Sequence, residues 1–361
     1  MPASVVGLPP HLTTVLLSGQ APPSDMARIP SVAAAVALLA AATLPAGVAA
    51  QTISAQAFLD AACNGPAPVG SVIITDGTVG TFSSACAITI GAGEDLDWGA
   101  RVRVTLPPTA ALTVTTPGAS TEAEILVGPG TTLSAGAISL STSADIIIDA
   151  GGAVRSIGSG GVTLATPTTL RLGGALTAGG GAGGSVSATA GGELLLGPSG
   201  SVKAEGDVTL VTTGGLALQA ADVTAAATTA VRSIVGKVSL TSTGGNVEVG
   251  AGVIVRGGSG LSATAAVELL LAQTPSSSPF VTTLAGGKGG DVSVGGGEKT
   301  IVEEGVVIRS AGALLLGSPP GGEVLVKGRA SLTAAGALTL DGDKCTVEPG
   351  AKTVGNPVTV C

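Results

Sequence analysis

The sequence is poor in aromatic residues and in histidine. Its 361 residues include three Phe, one Trp, no Tyr and one His. Sugar-stacking platforms and base-stacking surfaces both need aromatic side chains, so neither is expected here. The single histidine is His11, and no Cys-x-x-Cys motif occurs. A Ser-His-Asp triad is therefore excluded after residue 50, and a zinc site of the common kind is not expected.

Charged residues are also scarce. They make up 11% of the chain, and the net charge is −8. An acidic chain has little with which to neutralise phosphates, so nucleic acid is not the expected partner. The low charge and the 45% of hydrophobic residues argue against disorder, although the chain contains 58 Gly and 21 Pro. We expect a folded chain whose core is built from Val, Leu, Ile and Ala.

The N-terminal region has the pattern of an export signal. A short positive segment at 26–28 precedes an apolar run at 32–44 and small residues at 48–50. This pattern predicts a signal peptide over 26–50, cleaved after Ala50, with 1–25 as an upstream extension. The apolar run is too short and too rich in alanine for a membrane anchor. The mature chain is therefore expected to be secreted or at the cell surface, without a transmembrane segment.

Four cysteines lie near the two ends of the predicted mature chain, at Cys63, Cys86, Cys345 and Cys361. Four cysteines allow three connectivities, and proximity favours Cys63–Cys86 and Cys345–Cys361. An oxidising compartment would let both bonds form. We interpret 51–100 as an N-terminal cap with the first turns and 341–361 as a C-terminal cap.

Three short phrases repeat between the cysteine pairs. Examples are Val162-Thr163-Leu164, Ile146-Ile147-Ile148 and Val154-Arg155-Ser156, and the first phrase recurs at intervals of 22 to 24 residues. Period-two alternation places the outer residues of each phrase inward and the middle residue outward. Three strands per turn of this length predict an all-β fold, a single parallel and right-handed β-helix over 101–340. Successive turns would stack about 4.8 Å apart.

The Gly-x-Val-x-Leu and Gly-x-x-Val-Arg-Ser phrases over 125–340 give the chain a family resemblance. It resembles secreted bacterial β-helix proteins of the adhesin type, such as filamentous-haemagglutinin-like proteins and autotransporter passenger domains. The resemblance implies an extracellular structural or adhesive rod. The chain departs from that pattern in its paired cysteines and in lacking Asn-Pro-Asn-type secretion motifs.

An enzymatic alternative stays open, because polysaccharide lyases and hydrolases also use β-helices. Three carboxylates lie beside the single tryptophan, and an arginine follows, which makes the candidate set Glu94, Asp95, Asp97, Trp98 and Arg101. Such a cluster could form a hydrolytic pair or a calcium loop, with Trp98 as a sugar platform. The competing interpretation is a capping turn whose tryptophan fills the open end of the core.

Two series of outward residues are candidate ligand faces. The third phrase presents cations, at Arg155, Lys203, Arg232, Arg256 and Arg309. Guanidinium groups match sulfate or carboxylate, so an anionic glycan would fit this row. The first phrase presents a ladder of hydroxyls, at Ser139, Thr163, Ser187, Thr209, Ser239, Ser262, Ser293 and Thr333. Ranks of Thr-x-Thr are typical of ice-binding proteins, although threonine is also common on any solvated strand face.

The sequence as a whole predicts a secreted, non-enzymatic structural or adhesive β-helix with no cofactor and no metal site. Its expected partners are extracellular polysaccharides or other cell-surface components. Polysaccharide cleavage and ice binding remain the alternatives.

Overall fold

The computed structural model describes residues 50–65, 70–118, 123–180, 183–219, 230–273 and 281–361. Within these ranges the chain forms 37 strands and one helix, and the strands belong to three parallel sheets. The predicted parallel β-helix is confirmed. The predicted extension, 1–25, and all of the predicted signal peptide except Ala50 lie outside the described residues.

The strands belong to three sheets, which we name A, B and C, and from β2 onward each turn contributes one strand to each sheet. Sheet A consists of β1 (Gln51–Ile53), β2 (Val72–Ile74), β5 (Leu96–Trp98), β8 (Ile125–Val127), β11 (Ile146–Ile148), β14 (Leu170–Leu172), β17 (Leu194–Leu196), β20 (Leu216–Leu218), β23 (Val247–Val249), β26 (Glu268–Leu271), β29 (Lys299–Val302), β32 (Glu323–Val326) and β35 (Lys344–Val347). Sheet B consists of β3 (Val79–Thr81), β6 (Arg103–Thr105), β9 (Thr132–Ala135), β12 (Ala153–Ser156), β15 (Ala175–Ala178), β18 (Ser201–Ala204), β21 (Ala230–Ser233), β24 (Ile254–Gly257), β27 (Thr283–Gly286), β30 (Val307–Ser310), β33 (Ser331–Ala334) and β36 (Lys352–Val354). Sheet C consists of β4 (Cys86–Thr89), β7 (Ala111–Thr116), β10 (Ala137–Thr142), β13 (Val162–Thr166), β16 (Val186–Ala190), β19 (Val208–Thr212), β22 (Lys237–Ser242), β25 (Gly260–Ala265), β28 (Val292–Gly296), β31 (Leu314–Gly317), β34 (Leu338–Asp341) and β37 (Val358–Val360).

The core is a stack of aliphatic side chains, one set from each turn. In β11 the outer residues Ile146 and Ile148 are fully buried and Ile147 lies on the surface, as the alternation predicted. Ile146 pairs with Leu170 of the next turn, so like side chains pack on like along the axis. Such a turn buries its apolar face only against its neighbours, and the stacking therefore holds the fold together.

Buried hydroxyls complete the corners between sheets. Ser156, the last residue of a Val-Arg-Ser phrase, donates a hydrogen bond to the carbonyl of Gly136 in the preceding turn (2.6 Å). Ser233 and Ser310 donate in the same way to Gly206 and Gly290. Each of these serines supplies a hydrogen-bond donor to a backbone carbonyl at a corner, where the regular strand pairing ends. The phrase therefore combines a core residue, an outward cation and a buried corner hydroxyl.

The N-terminal opening is covered by the helix α1 (Ala55–Asn64). Ser54 caps it, because the Ser54 hydroxyl accepts a hydrogen bond from the amide of Ala57. Its apolar face includes Phe58, which is fully buried. Gly80 of β3 lies beneath the helix, and a Cβ at this position would lie 2.7 Å from Leu59 Cδ1 and 2.9 Å from the backbone of Ala55. Only glycine lets the helix pack this closely.

Disulfides lie near both ends of the β-helix, with the pairing that proximity favoured. Cys63 of α1 is bonded to Cys86 of β4, and Cys345 is bonded to Cys361. The predicted C-terminal cap, 341–361, contributes β35, β36 and β37, which extend the three sheets by one more strand each. Val354, Val358 and Val360 are exposed there. No helix in the described part of the chain is long and apolar enough to cross a membrane.

The outer face of sheet A differs from the other two faces. Each of its thirteen strands presents one central outward residue, and we call this series the outer column of sheet A, numbered by row from the N-terminus. Rows 1 to 13 are Thr52, Ile73, Asp97, Leu126, Ile147, Arg171, Leu195, Ala217, Glu248, Leu270, Ile301, Leu325 and Thr346.

Candidate functional site

The residues of the enzymatic alternative do not converge. Trp98 is an inward residue of β5 and is fully buried, so it offers no surface to a sugar. Its ring packs edge-on against Phe58, with ring centroids 5.5 Å apart. This contact fills the end of the core beneath α1, as the capping interpretation predicted.

The remaining members of this set are spread along and around the same strand. Glu94 accepts a hydrogen bond from the hydroxyl of Ser71 (2.8 Å), and Asp95 accepts one from the amide of Glu124 (2.9 Å). Asp97 points outward from the middle of β5, and Arg101 is exposed at the corner beyond it with a φ of 58°. Glu94 and Asp95 therefore tie turns together, which is a structural role.

Stacking of the turns nevertheless collects carboxylates on sheet A. Burial, together with repulsion from Asp76, Asp149 and Asp95, raises the pKa of Asp97 to about 6. Burial likewise raises the pKa of Glu124 to about 7, with Asp95, Asp145 and Asp97 as repelling neighbours and Arg171 as the opposing cation. These groups are brought together only by the fold, since they belong to five successive turns, from that of β2 to that of β14.

The raised pKa values predict that stability falls with rising pH. Between about pH 4 and pH 7 the native state holds protons on Asp97 and Glu124 that the unfolded chain releases. Both groups are partly exposed, so we expect each to destabilise the native state by only ~1 kcal/mol at pH 8 relative to pH 5. The double variant D97N/E124Q should remove ~2 kcal/mol of this pH dependence in urea titrations.

The control for this experiment is Glu193→Gln, an exposed carboxylate at the same corner of a later turn. It should leave the difference between pH 5 and pH 8 unchanged. A wild-type stability that does not fall between pH 5 and pH 8 would contradict the prediction. So would a change in stability between these pH values that is the same in wild type and in D97N/E124Q.

The carboxylates that the stacking collects on sheet A, which we call the acidic cluster, are not arranged as a metal site. Among the described residues, no group of three or more His, Cys, Asp or Glu side chains is placed to hold a metal ion. Asp145 is half-buried and accepts hydrogen bonds from the amide of Thr169 (2.9 Å) and the hydroxyl of Thr168 (2.6 Å). Its carboxylate therefore acts as a connection between turns.

The predicted cations form one column on sheet B, which we call the cationic column. Lys203 pairs directly with Arg232, and Arg232 pairs with Arg256, so three cations occupy consecutive strands. Arg155 lies two strands before Lys203, beyond Thr177, and Arg309 lies two strands after Arg256, beyond Ala285. All five side chains are exposed. The column spans seven strands, or about 29 Å along the helix axis.

The charge pattern of this column is unfavourable for folding. Like charges directly opposite each other on neighbouring strands are destabilising. Elsewhere the chain alternates the signs: Glu323 of sheet A lies between Lys299 (3.6 Å) and Lys344 (2.8 Å) and pairs with both. None of the five cations of the column forms an ion pair with any residue that the structure describes. No described acidic residue therefore neutralises these five positive charges, and all five side chains are exposed to a ligand.

The hydroxyl ladder is formed on sheet C by seven of its eight predicted members. Consecutive strands pair Ser139, Thr163, Ser187, Thr209, Ser239, Ser262 and Ser293 in one column. Thr333 does not belong to it, because β33 is a strand of sheet B and Thr333 pairs with Arg309 of the cationic column. A second hydroxyl column beside the first is interrupted at Ala165 and Val211.

Sequence reasoning missed the outer column of sheet A and the acidic cluster. The outer column could have been found from phrases of three consecutive apolar residues, such as Leu194-Leu195-Leu196, because the middle residue of such a phrase must point outward.

Comparisons with protein-family models, with curated proteins and with solved structures find no match to this chain.

Proposed function

We propose that this protein is a secreted, non-enzymatic β-helix that binds an anionic polysaccharide along the cationic column of sheet B, in a structural or adhesive role. The observation that carries the proposal is the stacking of Lys203, Arg232 and Arg256 on consecutive strands, without an acidic partner among the described residues. This arrangement opposes folding, and a bound polyanion would reverse that effect. The net charge of the whole chain is −8, so a local row of cations is unusual for this molecule and indicates a specific role.

The chemistry of the column selects the ligand class. Guanidinium groups donate paired hydrogen bonds to sulfate or carboxylate, and four of the five cations are arginines. Neighbouring strands are about 4.8 Å apart. An extended polysaccharide that runs along the helix axis could therefore place successive anionic groups on successive cations. The absence of aromatic residues from the described outer face of sheet B favours recognition by charge over sugar stacking.

The disulfides support the proposed location of the protein outside the cell. Two bonds close the two ends, and such bonds persist in oxidising compartments. The signal-peptide pattern and the resemblance to adhesin-type β-helix proteins agree with a place outside the cell or on its surface.

The test compares two double variants with equal loss of charge. R232Q/R256Q removes two stacked cations of the column, whereas K237Q/K288Q removes two exposed cations that lie elsewhere and form no ion pair among the described residues. If each lost contact weakens binding about tenfold, R232Q/R256Q should bind a sulfated polysaccharide about 100-fold more weakly than wild type. Calorimetric titration gives the dissociation constants, and K237Q/K288Q should stay within about threefold of wild type.

Equal weakening by both double variants would contradict the proposal, because it would show binding by overall charge alone. Removal of the stacked cations should also raise the thermal stability slightly, which separates lost binding from lost folding. Release of unsaturated or reducing sugar ends during the titration would identify an enzyme instead and overturn the non-enzymatic assignment.

A second candidate function is ice binding, favoured by the seven hydroxyls in register on sheet C. The interruptions at Ala165 and Val211 leave a single continuous column, whereas ice-binding faces present ranks of two. Thermal hysteresis in the absence of polysaccharide binding would favour this candidate over the cationic column.

A further inference from the structure

The outer column of sheet A is mostly apolar. Eight of its thirteen rows are apolar. The matching column of sheet B contains only Ala285 and Val354 as apolar residues in the described strands. That of sheet C contains only Ala87 and Leu315. An apolar stripe of this length on one face is typical of a surface that another molecule covers.

Two opposite charges interrupt the stripe near its middle, Arg171 in row 6 and Glu248 in row 9. The Nε atom of Arg171 is buried and has no hydrogen-bond partner among the described residues. Neither Arg171 nor Glu248 forms an ion pair with any described residue. Three rows correspond to about 14 Å, so the two side chains cannot meet within one chain.

Two sheets A can face each other symmetrically in two ways. With parallel helix axes every row faces its own copy, so Arg171 would face Arg171, and Glu248 would face Glu248. With antiparallel axes, a two-fold axis between rows 7 and 8 places Arg171 of each copy opposite Glu248 of the other. The charges therefore oppose the parallel arrangement and favour the antiparallel one.

We propose that a second copy of this chain covers sheet A, with its helix axis antiparallel. The two-fold axis that joins Arg171 to Glu248 lies half a row from the centre of the column, so twelve of the thirteen rows overlap. The same axis places Leu126 opposite Ile301, Ile147 opposite Leu270, and Leu195 opposite Ala217. Asp97 of each copy faces Leu325 of the other copy. Both pairs lie in the second row from an end of the overlap, where solvent reaches the carboxylate. This proposal does not depend on the polysaccharide ligand, which binds another face.

The overlapping surface is large enough for a specific interface. Twelve rows at about 4.8 Å and strands about 10 Å long give about 550 Å² on each copy when counted as a flat rectangle. The total of about 1,100 Å² exceeds the ~1,000 Å² that a biological interface should bury. Facing sheets pack about 10 Å apart, a distance that side chains of this size fill.

The test is charge reversal with rescue. Sedimentation equilibrium of the wild-type protein should show a dimer. R171E and E248R should each weaken dimerisation at least about 100-fold, because each places like charges together twice in the dimer. The double variant R171E/E248R exchanges the two charges and should restore the dimer. Circular dichroism of all four proteins checks the fold, and loss of the dimer without recovery in the double variant would contradict the pairing.

Cysteine cross-linking tests the direction of packing. Leu126 and Ile301 are seven rows apart in one chain, about 34 Å, so a short thiol cross-linker between cysteines at these positions joins two chains. L126C/I301C should form a covalent dimer with a short bismaleimide, whose span suits facing sheets about 10 Å apart, and neither single variant should do so. Self-linking of L126C would show parallel axes and overturn the proposal. A wild-type protein that is monomeric at all concentrations would overturn it as well.

Discussion

Replacement of Trp98 by alanine is expected to lower the free energy of unfolding by about 4 kcal/mol. Trp98 is the largest fully buried side chain and contacts Phe58 of α1 edge-on. Its indole nitrogen has no hydrogen-bond partner among the described residues, so the side chain stabilises the fold by apolar contact alone. Alanine would leave a cavity between the first turns and the helix that covers them.

Trp98→Phe is the matched control, because it keeps an aromatic ring against Phe58. It should retain most of the stability that Trp98→Ala loses, as measured by urea unfolding. Hydrogen exchange should locate the damage in the first strands, since a solenoid transmits a local defect mainly to neighbouring turns. A loss of less than about 1 kcal/mol for Trp98→Ala would contradict a core-filling role and reopen the sugar-binding interpretation.

Removal of the disulfide between α1 and β4 has the second-largest expected effect. Cys63 and Cys86 are 23 residues apart, and closing a loop of this size stabilises the native state by about 3 kcal/mol in the chain-entropy account. We expect C63A/C86A to lower the free energy of unfolding by that amount. The covering helix should detach first, because it lies at the end of the stack.

The second disulfide provides the comparison. Cys345 and Cys361 are 16 residues apart, and their removal should give a similar loss of about 3 kcal/mol. The location should differ: hydrogen exchange should accelerate in β1 to β5 for C63A/C86A and in β35 to β37 for C345A/C361A. Acceleration in the same strands for both variants would contradict independent closure of the two ends.

The fold was predictable because each phrase carries its own strand and its own orientation. Val154-Arg155-Ser156 has two inward residues and one outward residue, and the structure has the same alternation. The phrase containing Thr333 was assigned to the wrong sheet, because an apolar-hydroxyl-apolar pattern fits strands of sheets B and C equally. Its spacing of 24 residues from Ile308-Arg309-Ser310 was the better guide, since that is one turn of sheet B.

The surface sites were less predictable than the strands. Asp97 and Glu124 are 27 residues apart, and only the stacking of turns makes them neighbours, so that Asp97 helps to raise the pKa of Glu124. The turn that joins them is longer than the 22 to 24 residues of the repeat, so periodicity alone does not align them. The cationic column was found in sequence because each of its residues occupies the same place in a recurrent phrase.

The salt dependence of polysaccharide binding tests the central claim most directly. A sulfated polysaccharide titrated into the protein at several ionic strengths should bind with a logarithmic slope equivalent to about three to five neutralised cations. A neutral polysaccharide of equal length should not bind. Binding that is independent of salt, or equal affinity for the neutral polymer, would contradict the cationic column as the ligand face.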